Sequence, residues 1–198
     1  MRPSRKNEIL AAAIQLFSTK GYHATSVRDI AAAVGMSKAG LYSSFSSKEN
    51  LLEQIYYTII DGMLERLNEI STSDRDPVEK LRQAVTWQVV GTVEHIPEMT
   101  IYYRERHNLS GLAAERIARK RRAYEVMLES IIEEGIAAGD FRPVDVKVAA
   151  YGIAGMCAWT YRWFQPQGRL SAESVGALYA DIALRGLLSE SQRQKYEE

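Results

Sequence analysis

Three features of the sequence predict an all-α fold. Apolar residues recur at three- and four-residue intervals along most of the chain, serine and aspartate caps punctuate them, and no alternating strand pattern of any length occurs. About nine helices are expected. Three short ones form an N-terminal head built on a helix-turn-helix, and the rest form a larger helical body.

The first helix covers about residues 4–20, where Ile9, Ala13, Leu16 and Phe17 make one stripe and Gly21 stops it. Arg5 and Lys6 at its start either lie along a phosphate backbone or form an ordinary solvated end. Ser26 and Asp29 have the spacing of a capping box, and Val27, Ile30, Ala31 and Val34 follow at helical intervals. Gly35 ends this second helix in a sharp turn, which a residue free to take positive φ makes at low cost. Ser37 caps a third helix in which Leu41 and Phe45 face inward, leaving Lys38, Ala39, Gly40, Tyr42 and Ser43 outside. Ser46 with Glu49 repeats the capping signature for a fourth. A short helix, a glycine turn and a second helix of small, polar and basic residues have the form of a DNA reader. The same residues also suit a helical hairpin that never meets DNA.

The fourth helix carries Leu52, Ile55, Tyr56, Ile59, Met63, Leu67 and Ile70, a stripe longer than a 50-residue head needs. It therefore joins a head of residues 1–50 to a body of residues 51–198, with a polar break over 71–76. Asp76, Pro77 and Glu79 restart a helix with a cap, a first-turn proline and a first-turn acid. Its Leu81, Val85, Val89 and Val93 share a face, with Trp87 and Val90 off it. Pro97 opens a short helix containing Met99, Ile101, Tyr102, Tyr103 and Arg106. A long helix over 111–138 holds Ile117, Tyr124, Leu128 and Ile131 and ends at Gly139.

Two last helices, about 145–164 and 171–188, are apolar on more than one side and interspersed with small residues, which permits close approach to several partners. Ile153 and Cys157 on the first, with Val175, Leu178, Tyr179 and Ile182 on the second, are the expected contacts of a two-fold, four-helix interface in a homodimer. The alternative is burial within one body.

Composition is that of an ordinary globular chain, with a net charge of zero. The charge is unevenly placed: residues 1–50 carry seven Lys and Arg against three acids, leaving the remainder at −4. A basic head concentrates phosphate attraction at the helix-turn-helix. The single cysteine, Cys157, forms no internal disulfide and suits a reducing cytoplasm. The polar, basic N-terminus has no following apolar run, and no apolar stretch nears the length of a membrane span. A cytoplasmic protein is expected, in which the Asn108-Leu109-Ser110 sequon carries no sugar.

Asp29-Ile30-Ala31, Gly35-x-Ser37, Leu41-Tyr42-x-x-Phe45 and Ser47-Lys48-Glu49-x-Leu51 resemble the DNA-binding domain of the TetR family, over about Ile9 to Leu52. The resemblance implies a dimeric repressor that places two third helices in major grooves one helical turn apart, on a pseudo-palindromic operator. Thr25, Ser26 and Arg28 are expected to hold phosphates. Ser37, Lys38, Ala39, Gly40 and Ser43 make up the reading element, with Lys38 long enough to reach a guanine. Tyr42 and Lys48 match family positions that hold phosphate. Gly40 and Ser43 stand where many relatives carry larger side chains, so DNA shape contributes more to recognition here.

The resemblance also implies an effector in the body. Surplus aromatic and sulfur side chains, with Val90 beside them, mark where it would bind: Trp87, Met99, Tyr102 and Tyr103 in the first half. Tyr124, Met127, Met156, Trp159 and Trp163 continue the set, although such residues are also the stuff of a plain core. Arg104, Arg106 and Arg162 among them need an internal acid or a ligand anion. Further, Ile131-Ile132-Glu133-Glu134-Gly135-Ile136, Gly139-Asp140-Phe141-Arg142-Pro143 and Trp159-x-x-Arg162-Trp163-Phe164-x-Pro166-x-Gly168 resemble the branch of the family that senses acyl-CoA thioesters. The acyl arm would meet the aromatics, and Arg116, Arg119, Lys120, Arg121 and Arg122 would meet the nucleotide phosphates. A multidrug-type repressor is the alternative effector class.

An enzyme is a distant alternative. Gly35 to Gly40 mimics phosphate-loop glycine spacing, but Leu41-Tyr42 replace the required Lys and Ser/Thr. His23, His95 and His107 fall on separate elements without ligand spacing, so no metal site is expected, and no nucleophile elbow occurs. No catalytic residue and no resident cofactor is assigned.

Overall fold

The structure, a computed structural model, describes residues 4–197. Among them are ten α-helices and one short 3-10 turn. The helices are α1 Arg5–Lys20, α2 Val27–Ala33, α3 Lys38–Tyr42, α4 Lys48–Ser71, α5 Pro77–Glu94, α6 Ile96–Glu105, α7 Gly111–Ala137, α8 Val146–Trp163, α9 Ala172–Leu187 and α10 Glu190–Glu197, with the 3-10 turn at Arg106–Asn108. No strand occurs among the described residues; Phe141 and Leu188 make one isolated antiparallel bridge.

The helices pack into two units, one of residues 4–61 with 95–119 and the other of residues 62–94 with 120–197. The grouping differs from a simple division at residue 50, because α6 and the first turns of α7 pack with the head. The reason is apolar burial: Ile101, Leu109 and Ile117 join Ile9, Phe17, Ile30, Leu41, Phe45, Leu52 and Ile55 in one core. Tyr56, buried among them, donates its hydroxyl to the Ile101 carbonyl at 3.3 Å. Burial pushes that hydroxyl far above the ordinary tyrosine range. Helices α4 and α7 each contribute residues to both units.

The first unit follows its capping signals closely. Ser4 accepts from the Asn7 amide, and Gly21, at φ 89°, closes α1 by donating to Phe17 O. Ser26 and Asp29 form the reciprocal capping box of α2. Gly35, at φ 63°, ends α2 as Met36 N donates to Ala31 O and Gly35 N to Ala32 O, the two hydrogen bonds of a Schellman turn. The cap of α4 falls one residue later than expected: Ser47, not Ser46, accepts from Asn50 N at 2.9 Å. Glu49 instead reaches the start of α7, accepting from the Ser110 amide and hydroxyl at 2.8 and 3.0 Å.

In the second unit α5 packs on α8 and α9. Leu81, Val85, Val89, Leu128, Ile131, Ile153, Cys157, Val175, Ala180 and Leu184 supply its core. Two glycines set the spacing. A β-carbon on Gly176 would fall within 3.1 Å of Thr86, so α9 approaches the α5 backbone closely. A β-carbon on Gly135 would overlap the Phe141 ring, which lies directly on the α7 backbone. The buried Lys80 ammonium is held by both Glu134 oxygens at 2.9 Å. The tenth helix, α10, was not anticipated because it is almost wholly polar. Three residues dock it: Tyr196 accepts a hydrogen bond from Arg82 at 3.1 Å and lies under the guanidinium groups of Arg82 and Arg185, Gln192 donates to the Asp140 carboxylate, and Arg193 donates to Arg185 O at 3.1 Å.

Candidate nucleic-acid interface and effector region

The α2–turn–α3 segment presents an open trough of about 620 Å³ lined by Ser26, Val27, Arg28, Ala31, Ala32, Met36, Ser37, Lys38 and Tyr42. Of the residues expected at DNA, Ser26, Arg28, Ser37, Lys38, Ala39, Tyr42 and Ser43 are exposed and Gly40 is half-buried. Ser37 Oγ accepts from Gly40 N at 3.1 Å, so its hydroxyl starts α3 and retains a proton to donate. Lys38 Nζ lies 5.7 Å from the Tyr42 ring centroid, which aligns these two phosphate- and base-reaching side chains on one surface. Helix α3 proper is shorter than expected, stopping at Tyr42, with Ser43 Oγ turned back on Gly40 O at 2.7 Å. Glycine and a back-bonding serine are weak helix formers, and the last turn tightens, with Ser44 N and Phe45 N both donating to Leu41 O at 2.9 and 3.1 Å.

One expected phosphate contact is corrected, and two further basic side chains have partners within the unit. Thr25 is 1% exposed, and its hydroxyl donates within the α1–α2 turn to Gly21 O at 2.9 Å and Leu16 O at 3.3 Å. It is a structural residue, and only tertiary packing reveals this. Arg5 pairs with Glu8 and donates to Val34 O at 3.0 Å, tying α1 to the end of α2. Lys48 is half-buried, with its ammonium 4.1 Å from the Tyr22 ring centroid, and burial lowers its pKa.

The residues expected to bind effector do not form one set within a unit. Met99, Tyr102, Tyr103 and Arg106 belong to the first; Trp87, Val90, Tyr124, Met127, Met156, Trp159, Arg162 and Trp163 belong to the second. Met99 is buried, and Tyr102 stacks edge-on between Tyr56 and Tyr103 at 5.1 Å from each. Trp87, Met127 and Met156 are half-buried against the second core. Trp159 and Trp163, at 59% and 45% exposed, lie on the outer face of α8 and not in an interior pocket, which corrects the expectation for both. Polar atoms that sequence reasoning missed stand inside that unit. The Thr92 and Thr160 hydroxyls are buried and lack a hydrogen-bond partner among the described residues. Nothing in a lone threonine signals this from sequence.

The basic run of α7 is largely neutralised, contrary to expectation. Glu53, itself buried, binds Arg116 at 2.6 Å. Arg122 makes a double contact with Glu129 at 2.7 and 3.0 Å, which raises its pKa. Arg121 lies 3.4 Å from Glu125, and Arg119 3.8 Å from Glu115. By contrast no acid pairs with Arg104, Arg106 or Arg162 among the described residues.

The residues expected at a dimer contact divide in two. Ile153, Cys157 and Val175 are buried in the unit's own core, which corrects their assignment; Leu178 and Ile182 are 52% and 56% exposed. They share the outer surface with Val148, Tyr151, Trp159 and Trp163, and Trp163 lies 6.5 Å from the half-buried Tyr179. The one-turn spacing Val148, Tyr151, Gly155, Trp159 marks this face in the sequence.

A capped helix-turn-helix with an exposed basic and aromatic surface, followed by a helical body, defines a DNA-binding regulator. Comparison with known proteins identifies the family. Residues 9–55 match the family described as bacterial regulatory proteins, tetR family, and residues 74–187 match the tetracyclin repressor-like C-terminal domain. The HTH-type transcriptional repressor KstR2 of Mycolicibacterium smegmatis is 33% identical over 195 residues, covering 98% of this chain and 95% of the relative. The structure of the ketosteroid transcriptional regulator KstR2 of Mycobacterium tuberculosis superposes with a TM-score of 0.87 at 30% identity, covering 96% of this chain and 98% of that one. That of AibR in complex with isovaleryl coenzyme A and operator DNA gives 0.81 at 33% identity, covering 93% and 98%. The chain belongs to the TetR family. It is a ligand-responsive transcriptional regulator and not an enzyme. No helix of the described residues is long and apolar enough to cross a membrane.

Proposed function

We propose that this protein is a cytoplasmic, homodimeric repressor released from a pseudo-palindromic operator by an acyl-CoA thioester. The observation that carries the ligand class is the likeness, along nearly the whole chain, to a regulator solved with isovaleryl coenzyme A and operator DNA. The residues present agree with it. Thr92 and Thr160 offer buried hydroxyls that gain from a polar group of a ligand, since an unmet buried donor costs about 1–3 kcal/mol. Arg162, exposed and in the same unit as Thr92 and Thr160, suits a nucleotide phosphate better than the paired Arg121 and Arg122 of α7 do. The outer face of α8 and α9, with Trp159, Leu178 and Ile182 exposed, supports two-fold pairing by a self-complementary apolar surface.

Gel-shift titration of the operator complex tests the reading. A CoA thioester releases the protein, and the matching free acid does so far more weakly. Release by cationic drugs and by no thioester transfers the protein to the multidrug-sensing class.

A further inference from the structure

We propose that His23, Glu105 and His107 form a site for one divalent transition-metal ion of the zinc class. Residue 23 is distant in sequence from 105 and 107, and no ligand spacing marks the set. The fold nevertheless brings one donor atom from each within 4.8 Å of the others. A tetrahedral zinc ion with bonds of about 2.0–2.2 Å holds its ligand atoms roughly 3.3 Å apart. Rotation of the two exposed imidazoles closes the difference. Two imidazoles and a carboxylate suit zinc, nickel or copper over magnesium or calcium, and the open side leaves further positions to water.

The chain also holds these donors in place. Asn108 Nδ2 donates to Glu105 Oε2 at 2.9 Å and stands 3.4 Å from His107 Nε2. The Tyr22 amide donates to Glu105 Oε1 at 3.5 Å, and the Tyr22 ring packs edge-on to the His23 imidazole at 5.4 Å. Contacts of this kind orient metal ligands and raise affinity.

Its position gives it a consequence. His23 lies in the turn leading into α2, whereas Glu105 ends α6 and His107 sits in the following 3-10 turn. A bound ion fastens the approach to the DNA-reading helices onto α6 and makes their order depend on metal.

Tag-free, full-length protein titrated with Co(II) tests the site. The wild type develops visible ligand-field absorption that saturates at one ion per chain and is displaced by Zn(II), and zinc raises its melting temperature. His23→Ala and His107→Ala each lose at least tenfold in affinity, and Asn108→Ala loses about tenfold. His95→Ala, whose imidazole lies beside Glu98 at 3.7 Å, binds as the wild type does. Absence of Co(II) binding by the wild type overturns the proposal, as does undiminished zinc binding or stabilisation in the His23→Ala/His107→Ala double variant.

Discussion

The Phe141 ring occupies the space that a β-carbon on Gly135 would need. Glycine at this helical position lets an aromatic ring from the following turn seal α7, and the flanking backbone pairs with the end of α9 through Arg142 N to Leu187 O at 2.8 Å. Gly135→Ala forces the ring away and costs about 1–3 kcal/mol by overpacking. Phe141→Ala leaves a cavity and costs about 3–5 kcal/mol. Urea denaturation midpoints measure both; an unchanged midpoint for Gly135→Ala contradicts the packing described.

Arg28 and Thr25 stand three residues apart and play different parts. Arg28→Ala removes an exposed cation beside the α2–α3 trough, so DNA affinity falls and the log–log salt slope drops by about 1. Thr25→Val leaves carbonyls of Gly21 and Leu16 without their donor and lowers stability by about 1–2 kcal/mol, with the salt slope unchanged. Fluorescence anisotropy across a salt series separates the two.

Leu178→Asp places a charge on the exposed apolar face of α9 and yields monomers in analytical ultracentrifugation. Cys157→Ser leaves the dimer intact, because that thiol is buried in the core. Burial pushes the Cys157 pKa up to about 12, so a thiol reagent at pH 8 reacts slowly with native protein and rapidly in denaturant. Fast labelling of the native dimer would place Cys157 at the surface.

The Ser26 backbone and hydroxyl both donate to Asp29 at 2.8 Å and hold its carboxyl below the ordinary range. A depressed native pKa contributes stability that is complete above the unfolded value of about 3.9 and is lost as pH falls through the native value. DNA binding therefore weakens on acidification below about pH 4, and Asp29→Asn binds more weakly at neutral pH with a flatter acid limb. A wild-type pH profile in Asp29→Asn would remove the capping box from the account.

Local chemistry was the most legible part of the sequence. Ser26 with Asp29, Gly35, Ser37, and Asp76 with Pro77 each act within one turn of themselves, and the structure uses them as their spacing implies. Contacts between distant segments were not legible. Burial of Thr25, the Glu53–Arg116 pair and the meeting of His23 with Glu105 depend on helices separated by many residues. The charged run of α7 lies between these cases. Its acids Glu115, Glu125 and Glu129 sit one or two turns from the arginines, so its neutralisation was readable from helical spacing. On α8 and α9 an apolar pattern on several sides indicated more than one partner. It did not say which side belonged to the core, and Cys157 and Trp159 fell opposite to expectation. Polar α10 carried no apolar stripe to announce it, since Tyr196 and the polar contacts of Gln192 and Arg193 anchor it.

Binding of an acyl-CoA thioester and of operator DNA to one protein are linked, so each alters the affinity of the other by the same factor. The most direct measurement is the thioester's dissociation constant for the free dimer and for the dimer on its operator, by calorimetric titration. Binding to the DNA complex is expected to be weaker, by the factor through which the thioester lowers operator affinity. Equal dissociation constants, or no binding to either form, would contradict it.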